Sequence, residues 1–149
     1  MMMMGRSMSS GNYYDWAPAK TSRVMAFHSK SRWEEHFDAS KGTNKLMVIY
    51  FTATWCGPCR WMEPTIDELA AAFADVDFIK IDVDELMNVS RQFGVQAMPT
   101  FLLMKNGKVV DKVVGAKKDE LRNKIEQHSN KSQPYLRSNS YPYAYRYAI

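Results

Sequence analysis

Two cysteines occur in 149 residues, and both fall in one stretch, Trp55-Cys56-Gly57-Pro58-Cys59. A Cys-x-x-Cys pair has three readings: half of a zinc site, a redox dithiol, or chance. Structural zinc takes four ligands, usually two such pairs or one pair with two histidines. The histidines here, His28, His36 and His128, lack the close pairing of a zinc site, and there is no second cysteine pair. Metal is therefore the weaker reading. A redox pair needs only two thiols close enough to form a disulfide. It gains if the first thiol sits at a helix N-terminus, where unpaired N–H groups and the helix dipole favour thiolate.

The neighbouring sequence supplies that setting. Residues 46–51 form a short apolar, β-prone run, and Pro58 suits the first turn of a helix. From Cys59 onward Met62, Ile66, Leu69, Ala70 and Phe73 recur at helical spacing. Strand, Cys-x-x-Cys, helix is the context of a redox motif. Further elements must hold it. Residues 23–27 read as a first strand, and Ser29 or Ser31 can cap a helix through Trp33 and Phe37 to Gly42. The strand at 46–53 is expected to be central, because it is apolar on both faces. The helix after the cysteines should run to about Ala74, kinked where Pro64 removes a backbone hydrogen bond. A strand at 76–83 and a short helix at 85–93 follow. Asn106-Gly107 between two strand-like runs signals a hairpin. A last helix at 117–127 should turn Leu121 and Ile125 inward. The order β-α-β-α-β-α-β-β-α predicts an α/β fold, a central mixed β-sheet flanked by helices on both faces.

Composition narrows the function. Residues 23–129 are long enough for one domain with its own core, and hold 15 Lys+Arg against 15 Asp+Glu. The excess charge of +4 sits outside them, on Arg6, Lys20, Lys131, Arg137 and Arg146 against Asp15. A neutral core without a basic stripe argues against nucleic acid as a partner. No apolar run approaches the roughly 18–20 residues of a membrane span. No signal-peptide core follows the N-terminus, so a cytoplasmic protein is expected, and a lone cysteine pair there reads as catalytic. Residues 1–22 read as a flexible N-terminal tail and 130–149 as a disordered Tyr-rich C-terminal tail. Met4-Gly5-Arg6-Ser7-Met8-Ser9 fits the N-myristoylation pattern if Met4 is the mature start; otherwise it is a chance match in a Ser-rich segment.

The segment from Val48 to Pro64, centred on WCGPC, resembles thioredoxin. Lys80-Ile81-Asp82-Val83-Asp84, Met98-Pro99-Thr100-Phe101, Lys105-Asn106-Gly107 and Val114-Gly115-Ala116 extend the likeness over roughly residues 23–129. The wording RWEEHF, FTATWCGPC, DVDFIKIDVDEL and GAKKDEL is most similar to the h-type thioredoxins of plants. The resemblance implies the thioredoxin fold and a protein-disulfide reductase with no bound cofactor. It would be a monomer that reduces disulfide-containing target proteins and is itself reduced by an NADPH-dependent thioredoxin reductase.

Cys56, first and at the helix start, is the expected nucleophile, and Cys59, one turn further in, the resolving thiol. Gly57 and Pro58 restrict the loop between them, and in this family a proline there accompanies a reducing dithiol. Trp55 is expected on the surface beside the pair. Met98–Pro99 would be trans on statistics alone, but the resemblance implies the family's cis-proline, with Met98 free to pair with an extended substrate. Val114, Gly115 and Ala116 match the segment flanking the same surface. One position departs from the pattern: where thioredoxins carry a buried aspartate, this chain has Tyr50, while the aspartate's lysine partner is present as Lys80. A buried tyrosine stays neutral, so a slower resolving step is expected, with Lys80 turning to solvent, to the tyrosine or to another acid. Tyr50 and the tails leave an alternative, a weakly active, tail- or lipid-tethered interaction protein, with weak membrane association if Gly5 is myristoylated. A secretory disulfide isomerase is disfavoured by Pro58 and by the missing signal peptide and KDEL-like end.

Overall fold

A computed structural model of the chain describes residues 21–129. Gly5 and the Tyr-rich segment 130–149 lie outside the described residues. The elements follow in the order β1 (Val24–Phe27), α1 (Lys30–Ser40), β2 (Met47–Thr52), α2 (Gly57–Ala72), β3 (Asp77–Asp82), α3 (Met87–Gln92), β4 (Thr100–Lys105), β5 (Lys108–Val114) and α4 (Lys118–His128). The sheet runs β1-β3-β2-β4-β5. β1 and β2 both pair parallel to β3, β4 lies antiparallel to β2, and β5 antiparallel to β4.

β2 is buried along its whole length, as its unalternating apolar sequence predicts. Its side chains divide by parity. Met47, Ile49 and Phe51 join Trp33 of α1 and Val89 of α3 in one core, and Val48 and Tyr50 join Met62, Ile66 and Leu69 of α2 and Leu121 and Ile125 of α4 in the other. The helices therefore cover both faces, and Tyr50 belongs to the face that carries the cysteines.

Ser29 caps α1 by accepting the Arg32 N–H at 3.3 Å. α2 runs unbroken through Pro64, which cannot donate to the Arg60 carbonyl. Asn106 and Gly107 take positive φ, 52° and 78°, which suits the two-residue turn between β4 and β5. The clearest boundary difference is α3, expected from residue 85 but starting at Met87. Asp82 explains it: its Oδ1 accepts the N–H groups of Asp84 and Glu85, at 2.8 and 3.2 Å, and holds them in a turn.

Candidate active site

Cys56 closes α2 at its N-terminus. It has extended backbone angles, and its Sγ accepts the Cys59 N–H at 3.1 Å. Pro58 follows in the first turn, where the missing N–H leaves no bond unmade. Cys56 and Cys59 form a disulfide with Cα atoms 5.3 Å apart, within the ordinary range. In this oxidised state both are buried, Cys56 at 4% and Cys59 at 0% exposure. The difference in access between the two is small, while the difference in position along the helix is plain.

Around the disulfide the backbone brings three loops together. Trp55 is exposed, and its indole N–H donates to Asp84 at 2.9 Å. Met98–Pro99 is a cis peptide bond, as the resemblance implies. The Gly115 N–H donates to the Pro99 carbonyl at 2.8 Å, tying the third loop to the second. Gly115 has φ +104°, which disfavours any side chain there. Val114 is exposed, while Met98 and Ala116 are partly buried against the core beneath the dithiol. The structure thus ties Pro99 to Gly115 and packs Met98 and Ala116 against the core that holds the cysteines, while Trp55 immediately precedes Cys56.

Tyr50 lies beneath the pair. β-Pairing sets it opposite Lys80 on one side and Phe101 on the other, and its ring stacks on Phe101 at 5.2 Å and 11°. Its hydroxyl oxygen lies 3.0 Å from Thr52 Oγ1, 3.1 Å from the Cys59 carbonyl oxygen and 3.4 Å from Glu63 Oε2. With one proton it donates to one of these at a time, while the Thr52 hydroxyl can donate to it. Burial pushes the phenol up to about 12; a hydrogen bond with Thr52 opposes the rise and the Glu63 carboxylate adds to it. Lys80 pairs with another acid, Glu63, at 3.2 Å.

Glu63 was not among the residues singled out from the sequence. Its signal was spacing, four residues after Cys59 and hence on the same helix face. Trp61 was also missed. It is 56% exposed, with the Lys118 ammonium 3.9 Å above its ring centre. Among the described residues no group of three or more His, Cys, Asp or Glu could hold a metal ion, and no helix is long and apolar enough to cross a membrane.

A dithiol at the N-terminus of a helix, packed on a mixed sheet beside a cis-proline loop, defines a thiol–disulfide oxidoreductase. The thioredoxin family model matches residues 24–127, and the chain belongs to the thioredoxin family. It is 52% identical over 109 residues to thioredoxin H2 of Arabidopsis thaliana, covering 73% of this chain and 82% of that one. Thioredoxin H2-2 of Oryza sativa subsp. japonica is 56% identical over 112 residues, covering 74% and 84%. The crystal structure of thioredoxin NaTrxh from Nicotiana alata superposes with a TM-score of 0.74 at 62% identity, covering 75% of this chain and 97% of that one. The chain is a protein-disulfide reductase similar to plant h-type thioredoxins. Its family works on disulfide-containing proteins and is reduced by thioredoxin reductase.

Proposed function

We propose that Cys56 is the nucleophile and Cys59 the resolving thiol in the reduction of disulfides in other proteins. The observation that carries the assignment is the Cys59 N–H directed at Cys56 Sγ at the start of α2. A thiolate there receives a hydrogen bond and the positive end of the helix dipole. Cys56 attacks a target disulfide and releases one target sulfur as thiolate. Cys59 then attacks Cys56, the second target thiol leaves, and two electrons have passed to the target. Gly57 and Pro58 set the loop, while Tyr50 and Lys80 tune the chemistry below it. Trp55, Met98, Pro99, Val114, Gly115 and Ala116 hold the extended target segment, with Met98 pairing to its backbone. The electrons return from an NADPH-dependent thioredoxin reductase, and no cofactor is held by the chain. The protein acts as a monomer in the cytoplasm, and Gly5 is a lipidation site if Met4 begins the mature chain.

The assignment is tested by labelling and turnover. Iodoacetamide below neutral pH should modify Cys56 of the reduced protein before Cys59, and Cys59→Ser should trap mixed disulfides with insulin. Cys56→Ser should abolish insulin reduction. Preferential labelling of Cys59 would reverse the roles.

A further inference from the structure

We infer that Glu63 accepts the proton of Cys59 when that thiol attacks the mixed disulfide. The inference rests on the assignment of Cys59 as the resolving thiol. Cys59 is fully buried, and burial in apolar surroundings resists formation of its thiolate. A proton acceptor must therefore lie close by. Tyr50, directly beneath, is neutral and already holds its proton, so it cannot take up another.

Glu63 follows Cys59 by four residues in α2, so the two side chains leave the helix on one face. Side chains in a helix lean toward its N-terminus, which tilts the Glu63 carboxylate back over the turn that holds Cys59. One group links the two residues: the Tyr50 hydroxyl is within reach of both the Cys59 backbone carbonyl and Glu63 Oε2. Lys80 fixes the same Oε2 from the β3 side. Glu63 also lines an open cleft of about 380 Å³ with Thr54, Arg60 and Asp82, so a proton taken from inside has a route to solvent. Glu63 is partly exposed and Cys59 is not, so of the two only Glu63 is in contact with solvent.

The step balances. In the mixed disulfide Cys56 Sγ is bonded to a target sulfur. The Cys59 proton passes to Glu63, and the Cys59 thiolate attacks Cys56 Sγ. The Cys56–Cys59 bond forms as the bond to the target breaks. The target leaves as thiolate and takes a proton from solvent, and Glu63 returns its proton through the cleft.

The charged groups that line clefts with Glu63 are Lys80 from β3, Arg60, Asp67 and Glu68 from its own helix, Arg23 ahead of β1, and His28, Asp82 and Glu85. The test must therefore separate Glu63 from its surroundings. Stopped-flow kinetics on the full chain with insulin give both steps, the first isolated in a Cys59→Ser background. Glu63→Gln is expected to slow resolution about tenfold or more near pH 7, with the deficit closing as pH rises to where the thiol ionises unaided. The first step should change far less, and Glu63→Asp should recover part of the loss. Equal resolution rates in Glu63→Gln and wild type at every pH would overturn the inference. So would an equal slowing of both steps, which marks a structural role. If no variant forms a mixed disulfide at all, the reductase assignment fails first and takes this inference with it.

Discussion

A phenol that keeps its proton to about pH 12 can relay a hydrogen bond but cannot store a charge. Tyr50 therefore contributes packing in place of basicity. Its stack on Phe101 adds about 0.5–1.5 kcal/mol beyond the area buried. Tyr50→Asp reverses both contributions. It removes the ring, leaves a void on Phe101, and sets a carboxylate in a buried site. The expected cost is about 3 kcal/mol, with a lower melting temperature. The same carboxylate lies under the dithiol and should quicken resolution in stopped flow. An unchanged rate between about pH 6 and 9 would leave Tyr50 a core aromatic and no more.

At the scale of elements, α4 is held to β5 by a charged clasp. Asp111 accepts from His128 Nε2 at 3.0 Å and pairs with Lys124 at 3.1 Å, and Lys124 also reaches Glu120 at 3.1 Å. Burial pushes the Asp111 carboxyl up, but the bonds from His128, the Lys112 amide and Lys124 outweigh it and hold the carboxyl below its ordinary value. Bonds to Asp111 and Glu120 raise Lys124. A depressed carboxyl stabilises the fold above its unfolded value of 3.8, and that contribution is lost as pH falls through the lower folded value. A raised amine stabilises below 10.5, and its contribution is lost as pH climbs through the higher folded value. Asp111→Asn should therefore speed amide exchange along α4 at neutral pH and lower the melting temperature by a few degrees. In strong acid, where wild type has lost the same charge, the two proteins should converge.

The clasp also shows what a sequence conceals. Leu121 and Ile125 declare the buried face of α4 by their spacing, and the cysteine pair, Pro58 and the Asn-Gly turn declare themselves by local chemistry. Their information is carried within a few residues. Asp111 with His128, Lys80 with Glu63, and Trp55 with Asp84 are joined only by the folded sheet, across separations of 17, 17 and 29 residues. Glu63 was hidden for a second reason: in sequence it is one of several charged positions on a partly solvated helix. Only the paired Tyr50 and Lys80 beneath it give it a role. α3 starts later than its sequence suggests because the carboxylate that holds residues 84 and 85 in a turn ahead of it, Asp82, belongs to the preceding strand.

The whole molecule is an electrically balanced reductase core whose net charge lies in the flanking segments. Such a core has little of its own to bind an anionic membrane, and the attachment proposed above rests on Gly5. A single myristoyl chain gives only marginal binding, K about 10⁴ M⁻¹, and Arg6 adds little. A mainly soluble protein with a minor membrane fraction is expected if Met4 begins the mature chain. Vesicle flotation of cell-expressed protein checks this: Gly5→Ala should remove the minor fraction, and identical partitioning of the two forms would exclude lipidation. The core has a firmer dependence just ahead of the family match, which begins at residue 24. Arg23 donates to the carbonyls of Ala70, Phe73 and Ala74 at the far end of α2, and Ser22 donates to Asp67 of that helix at 2.7 Å. A fragment cut at the homology boundary would thus unfasten the end of the helix opposite its nucleophile, so the shortest faithful version of the enzyme must begin no later than Ser22.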